Sequence, residues 1–131
     1  MAATLDQYLD LLQQKKPVAA LATVMPDGSP QLTPVWFDYD GKRIRVNTAK
    51  GRVKARNMQQ GSRVAVMIVD PDNAYRYLQV RGRIALATED GADAHIDSLS
   101  RKYIGKDYPF RQPGEVRIRY EIEPVSVQGM S

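Results

Sequence analysis

Four cations stand at alternate positions in the stretch "NTAKGRVKARN" at 47–57: Lys50, Arg52, Lys54 and Arg56, with no acid among them. Such a row is chemically informative because an exposed helix ordinarily gains from acids in its first turn and from opposite charges four residues apart. Read as a helix over 51–61 ended by Gly61, this one opens on Lys50 and Arg52 and stacks Lys50 on Lys54 and Arg52 on Arg56. Each like pair costs a few tenths of a kcal/mol. A solvated face is one reading of the row. An anionic ligand that offsets the repulsion is the other, and phosphate suits it, meeting side-chain donors and free backbone amides together. Asn47 and Thr48 lie just before the row, at the end of a predicted strand, and extend this corner with small polar groups.

The charge is local. Eight cations and no Asp or Glu fall between Gly41 and Val69, while the whole chain of 131 residues carries only +4. The length suits one domain, taken as 1–131, with one core. There is no cysteine, which excludes disulfides, zinc–cysteine sites and a thiol nucleophile and fits a cytoplasmic protein. A single histidine, His95, argues against a histidine-rich metal site or a Ser-His-Asp triad, so no metal is expected. No apolar run reaches the roughly 20 residues of a membrane span, and the acid-bearing, alternating N-terminus does not read as a signal peptide.

The elements that must position these groups follow from periodicity. Residues 4–16 predict a helix capped by Thr4 and ended by Pro17. Strands are predicted over 18–25, 31–40, 43–48, 62–70, 75–88 and 115–129, with turns at "PDGSP" and "DGK". Pro34 lacks an amide donor, which demands a bulge or an unpaired edge. Gly82 marks a bend or bulge in the long fifth strand. A helix over 89–105 turns Ala94, Ile96 or His95, Leu99 and Tyr103 inward, with His95 otherwise on its surface. In the last strand Val116, Ile118, Tyr120 and Ile122 face one way and Arg117, Arg119, Glu121 and Glu123 the other. Six mostly antiparallel strands with short helices predict a mainly β barrel with peripheral helices.

Three motifs resemble a known family: "LATxxxDGxPQxxPVWF" at 21–37, "RxKxRN" at 52–57 and "DPDNxYRYxxVRG" at 70–82. The succession is similar to the split β-barrel flavin/deazaflavin oxidoreductases, the pyridoxamine-phosphate-oxidase-like superfamily, and in particular its branch that uses coenzyme F420. The resemblance covers about residues 5–127. It implies a six-stranded split β-barrel, a homodimer with the cofactor in a groove between subunits, and hydride transfer between F420 and an electron-poor small molecule. It also implies site residues. Arg52 and Lys54, with Lys50 as a further candidate, would hold the cofactor phosphate, and Asn57 would brace the helix. Thr33, Pro34, Val35 and Trp36 would lie along the ring, with Asn47 and Thr48 at its edge. Tyr75 and Tyr77 would close over it from the other subunit. Core or interface packing is the competing role for Trp36 and Tyr77. Arg43, Arg45, Arg56, Arg76 and Arg81 would attract the oligoglutamate tail of F420 or else face water. FMN is the alternative cofactor, and a non-catalytic F420 carrier the alternative role. No catalytic acid or base is assigned. A nucleic-acid-binding barrel would need cations tracking a long groove, and these gather at one corner.

Overall fold

The structure, a computed structural model, describes residues 4–130. Residues 1–3 and 131 of the expected 1–131 domain lie outside the described residues. Seven antiparallel strands form one curled sheet: β1 Ala19–Val24, β2 Pro30–Val35, β3 Asp38–Tyr39, β4 Ile44–Ala49, β5 Arg63–Asp70, β6 Asn73–Thr88 and β7 Arg117–Met130. Their order across the sheet is β2-β1-β5-β6-β7-β4-β3.

The count of seven corrects the expected six, because the strand predicted over 31–40 is broken. Trp36 and Phe37 separate β2 from β3, and these two strands form opposite edges of the sheet. Both backbone groups of Phe37 leave the ladder. Its carbonyl accepts from Lys102 Nζ at 2.6 Å and its amide donates to Tyr103 Oη at 3.4 Å. Two residues thus join the sheet's edges and form the seam of a half-barrel. Pro34 is on edge strand β2, where its missing donor costs no ladder bond, as expected.

The sheet curls because its two longest strands, β6 and β7, slip register between Arg81 and Gly82 and again between Ile84 and Leu86. The Gly82 irregularity was legible in advance. A Cβ on Gly82 would lie 2.4 Å from the Glu123 carbonyl oxygen, so only glycine allows β7 so close. Inside the curl sit Leu21, Val66, Ile68, Leu78, Val80, Ile84, Ile44, Val46, Tyr120 and Ile122, each almost wholly buried.

The predicted helix over 4–16 is instead a 3-10 turn, Leu5–Tyr8, followed by a π turn, Asp10–Gln14. Together they drive Tyr8, Leu11 and Leu12 into the barrel as a plug. Burying each leucine contributes roughly 1.5–3 kcal/mol. Charge pins the plug from outside. Arg76 takes both Asp10 oxygens at 2.8 Å and Asp70 at 3.0 Å, and Lys15 meets Asp70 at 2.8 Å.

Two α-helices complete the chain. Helix α1 is only Val53–Asn57, much shorter than the expected 51–61. Helix α2, Ala92–Ile104, ends in left-handed Gly105 and lies outside the sheet on β4 and β7. It buries Ala92, His95, Ile96, Leu99 and Ser100. Ala94, expected inward, is exposed, and His95, read either as an inward alternative to Ile96 or as a surface residue, is buried along with Ile96. The reason is polar. The β4–β7 face beneath α2 carries hydrogen-bonding groups, so the histidine satisfies it better than a methyl would. At the start of β7, Val116 is exposed and Arg117 is buried.

Candidate active site

A groove of about 450 Å³ opens beside the seam. The end of β2 and the seam contribute Pro34, Val35 and Trp36; β4 contributes Asn47 and Thr48; and the corner before α1 contributes Arg52 and, two residues on, Lys54. Ile96 and Leu99 of α2, Tyr108 and Phe110 of the following loop, Val18 and Arg117 line the rest, and among the described residues no carboxylate lines it. Seven of the eleven candidate residues thus converge on one concavity, although they were drawn from three separate segments.

Thr33 stands just behind this wall and accepts from Lys54 Nζ at 3.4 Å. Lys50 does not join. It lies before the helix, two-thirds exposed, and its nearest acid is Glu89 at 4.0 Å. The expected stacking of Lys50 on Lys54 is therefore absent, and a five-residue helix adds little dipole, so the side-chain cations carry the corner. Tyr75 and Tyr77 are at the start of β6 and do not line the groove within one chain; Tyr75 is 83% exposed. Three of the surplus arginines are already paired: Arg43 with Glu121 and Glu123, Arg45 with Asp38, and Arg76 with Asp10 and Asp70. Asn57 donates to Thr23 Oγ1 at 3.0 Å and so ties α1 to β1.

One end of the groove is aromatic. Tyr108 meets Trp36 edge-on at 6.3 Å, and Phe110 meets Tyr108 edge-on at 5.6 Å. Trp36 itself lies on Tyr103 while also lining the groove. Burial pushes the Tyr103 hydroxyl up to about 12, and it donates to the Pro17 carbonyl at 2.7 Å. The loop bearing Tyr108 is strapped to α2, with the Tyr108 amide donating to Asp97 and Arg111 bridging Asp93 and Asp97.

The groove's cations begin beside these rings, with the Arg117 guanidinium 5.1 Å from the Tyr108 ring. Burial pulls the Lys54 ammonium below the usual lysine value, and the charges of Arg52 and Arg117 add to the effect. Of these three like charges only Arg117 has a carboxylate partner among the described residues, Glu115 at 3.3 Å, so Arg52 and Lys54 form a site whose electrostatics an anion would relieve. Arg117 was missed because alternation along β7 grouped it only with Arg119, Glu121 and Glu123. It does occupy the face opposite Tyr120 and Ile122, but α2 covers that face. No signal in the strand itself could show this.

A family model described as pyridoxamine 5'-phosphate oxidase matches residues 5–130. The chain belongs to this family. Its members are the split-barrel flavin and deazaflavin oxidoreductases, and the curled half-barrel matches their fold. Among solved structures, an F420 reductase is 33% identical, with a TM-score of 0.77 over 91% of this chain and 94% of that one. Two others share the fold. A conserved hypothetical protein from Mycobacterium tuberculosis is 22% identical, with a TM-score of 0.76 over 100% of this chain and 86% of that one. An FAD- and haem-binding protein from Mycobacterium smegmatis is 19% identical, with a TM-score of 0.67 over 96% and 71%. Within the family frame the groove is the candidate active site. Among the described residues no helix is long and apolar enough to cross a membrane.

Proposed function

We propose that this family member is an F420-dependent oxidoreductase, moving a hydride between the deazaflavin and an electron-poor small-molecule acceptor. One observation carries the reading. A single groove joins a cationic cluster, Arg52, Lys54 and Arg117, to an apolar wall, Pro34, Val35 and Trp36. A planar ring with an anionic tail fits that division, and the 33% identity to an F420 reductase supports F420 as the ring.

When bound, the deazaflavin supplies the hydride chemistry, and the protein supplies position and exclusion of water. Arg52 and Lys54 hold the phosphate through charge-assisted bonds. Val35 and Trp36 lie against the ring, and Ile96 and Leu99 keep water from its apolar flank. In the proposed homodimer, Tyr75 and Tyr77 of the second copy close over the ligand. The protein acts as one domain in the cytoplasm, on a small molecule rather than nucleic acid.

A titration of cofactor-stripped protein by fluorescence quenching, with F420 and FMN in parallel at near-physiological salt, tests the proposal. Micromolar or tighter binding of F420 with weak FMN is the expected result. Preference for FMN moves the protein to the flavin branch, a second reading favoured by the phosphate-sized cationic cluster that both ligands share. Failure of both ligands to bind sinks the oxidoreductase reading. Turnover of an electron-poor acceptor, followed by loss of reduced F420, separates an enzyme from a carrier.

A further inference from the structure

Asn47 lines the groove, yet both ends of its amide are already engaged. Its Oδ1 accepts from Arg117 Nε at 2.9 Å, and its Nδ2 donates to the Ala92 carbonyl at 2.9 Å and faces His95 Nδ1 at 3.2 Å. The amide has one sensible orientation, because a guanidinium only donates and a carbonyl only accepts. That orientation fixes the histidine. With Nδ1 accepting from Asn47, Nε2 carries the proton toward Asp38 Oδ2 at 3.2 Å. Asp38 is held in turn by both ends of the Arg45 fork, at 2.7 and 2.8 Å. Burial alone would raise the Asp38 carboxyl, but the bonds from His95 and Arg45 outweigh it and keep its value low.

The far end of this chain of bonds is the cation in the groove. Arg117 is 7% exposed, its guanidinium lies 5.1 Å from the Tyr108 ring, and Nη1 meets Glu115 at 3.3 Å. Its Nη2 has no partner among the described residues. We propose that Asn47 is a positioning residue rather than a cofactor ligand, and that the chain Asp38–His95–Asn47 aims Arg117 at the anionic group of the ligand. This rests on the phosphate-bearing-cofactor reading of the groove. An amide at position 47 suits the task, since it orients the guanidinium without adding a second carboxylate to the one that Glu115 already sets against Nη1.

The test is a double-mutant cycle on F420 affinity, with the phosphate-free deazaflavin chromophore as the control ligand. Arg117→Met should weaken F420 about tenfold to a hundredfold, the scale of one lost charge-assisted bond. Asn47→Leu should weaken it in the same direction, and the double variant should be no weaker than Arg117→Met alone. His95→Phe should reproduce the loss and His95→Gln should restore most of it. Affinity for the phosphate-free chromophore should stay within about twofold throughout. Losses from Asn47→Leu that multiply fully onto Arg117→Met would mean that Asn47 touches the ligand itself, and would overturn the proposal. Should Asn47→Leu not fold, the two His95 variants on wild-type and Arg117→Met backgrounds complete the same cycle. Wild-type protein that binds neither F420 nor FMN defeats the cofactor reading alone. The positioning claim is then decided in the ligand-free protein by the NMR signal of Arg117 Nε–H. Faster solvent exchange in His95→Phe than in His95→Gln supports it, and equal exchange overturns it.

Discussion

Trp36 lies parallel to Tyr103, with ring centroids 5.4 Å apart and planes within 7°. The pair connects the seam of the barrel to α2, and so joins the two bodies that face each other across the groove. Replacing Trp36 with Leu removes an aromatic pair worth about 0.5–1.5 kcal/mol beyond its buried area. Thermal unfolding should register that loss, and the cofactor titration should show weaker binding in the same variant. A stability loss with unchanged affinity would assign Trp36 to packing only.

Arg52 and Lys54 form the core of the cationic cluster. Their joint replacement by Ala should abolish measurable cofactor binding, since each phosphate contact is worth about 1.5–3 kcal/mol. The far-ultraviolet circular dichroism and the melting temperature should remain those of wild type, because neither residue is in the core. Retained affinity would place the phosphate elsewhere.

Lys102 supplies a pH signature of the seam. It is partly buried beside the Phe37 ring, and burial pulls its ammonium down to about 8. The unfolded chain keeps an ordinary lysine near 10.5, so between pH 8 and 10 the unfolded state binds more protons than the folded one. Stability should therefore rise across that window, before Tyr103 and Tyr120, both pushed up to about 12, reverse the trend. Urea melts of wild type and Lys102→Met check this, the rise being confined to wild type.

Asp70 governs the acid side. Hydrogen bonds from Lys15, the Asp72 amide and Arg76 hold its carboxyl at about 2. Its contribution is complete above pH 4 and is lost as pH falls toward 2. Asp70→Asn should lower the urea midpoint at pH 7, and the gap to wild type should close as the pH approaches 2.

Gly82→Ala should destabilise the protein by about 1–3 kcal/mol, the usual cost of overpacking. The new methyl would strike the Glu123 carbonyl of β7, which is backbone and cannot rotate away. Chemical denaturation measures the effect directly, and a neutral result would show that β7 shifts freely.

Much of this architecture was legible from the chain. Period-two alternation located most of the strands, and Pro34 and Gly82 announced an edge and an irregularity. The seam was not legible, because Trp36 and Phe37 are good strand formers, and the backbone of Phe37 is captured by Lys102 and Tyr103, distant in sequence. The groove's cations at 52 and 54 declared themselves by local charge. Arg117 and His95 did not, since each is buried by the docking of α2 on the β4–β7 face, a tertiary event with no local pattern. Alternation says which residues share a face, and only packing says which face meets water.

The β4–β7 ladder sets when the site can come into being. Asn47 and Arg117, which meet in the groove, are 70 positions apart in the chain. Closing so long a loop is entropically slow, and contacts of this range delay folding relative to local ones. On the ribosome, β1 through β6 emerge while β7 is still being synthesised. The groove is incomplete until β7 has paired with β4, and any product truncated before Arg117 lacks both the last strand and the third cation. A cofactor added to refolding protein will bind only in the final kinetic phase, which makes its fluorescence a clock for completion of the barrel.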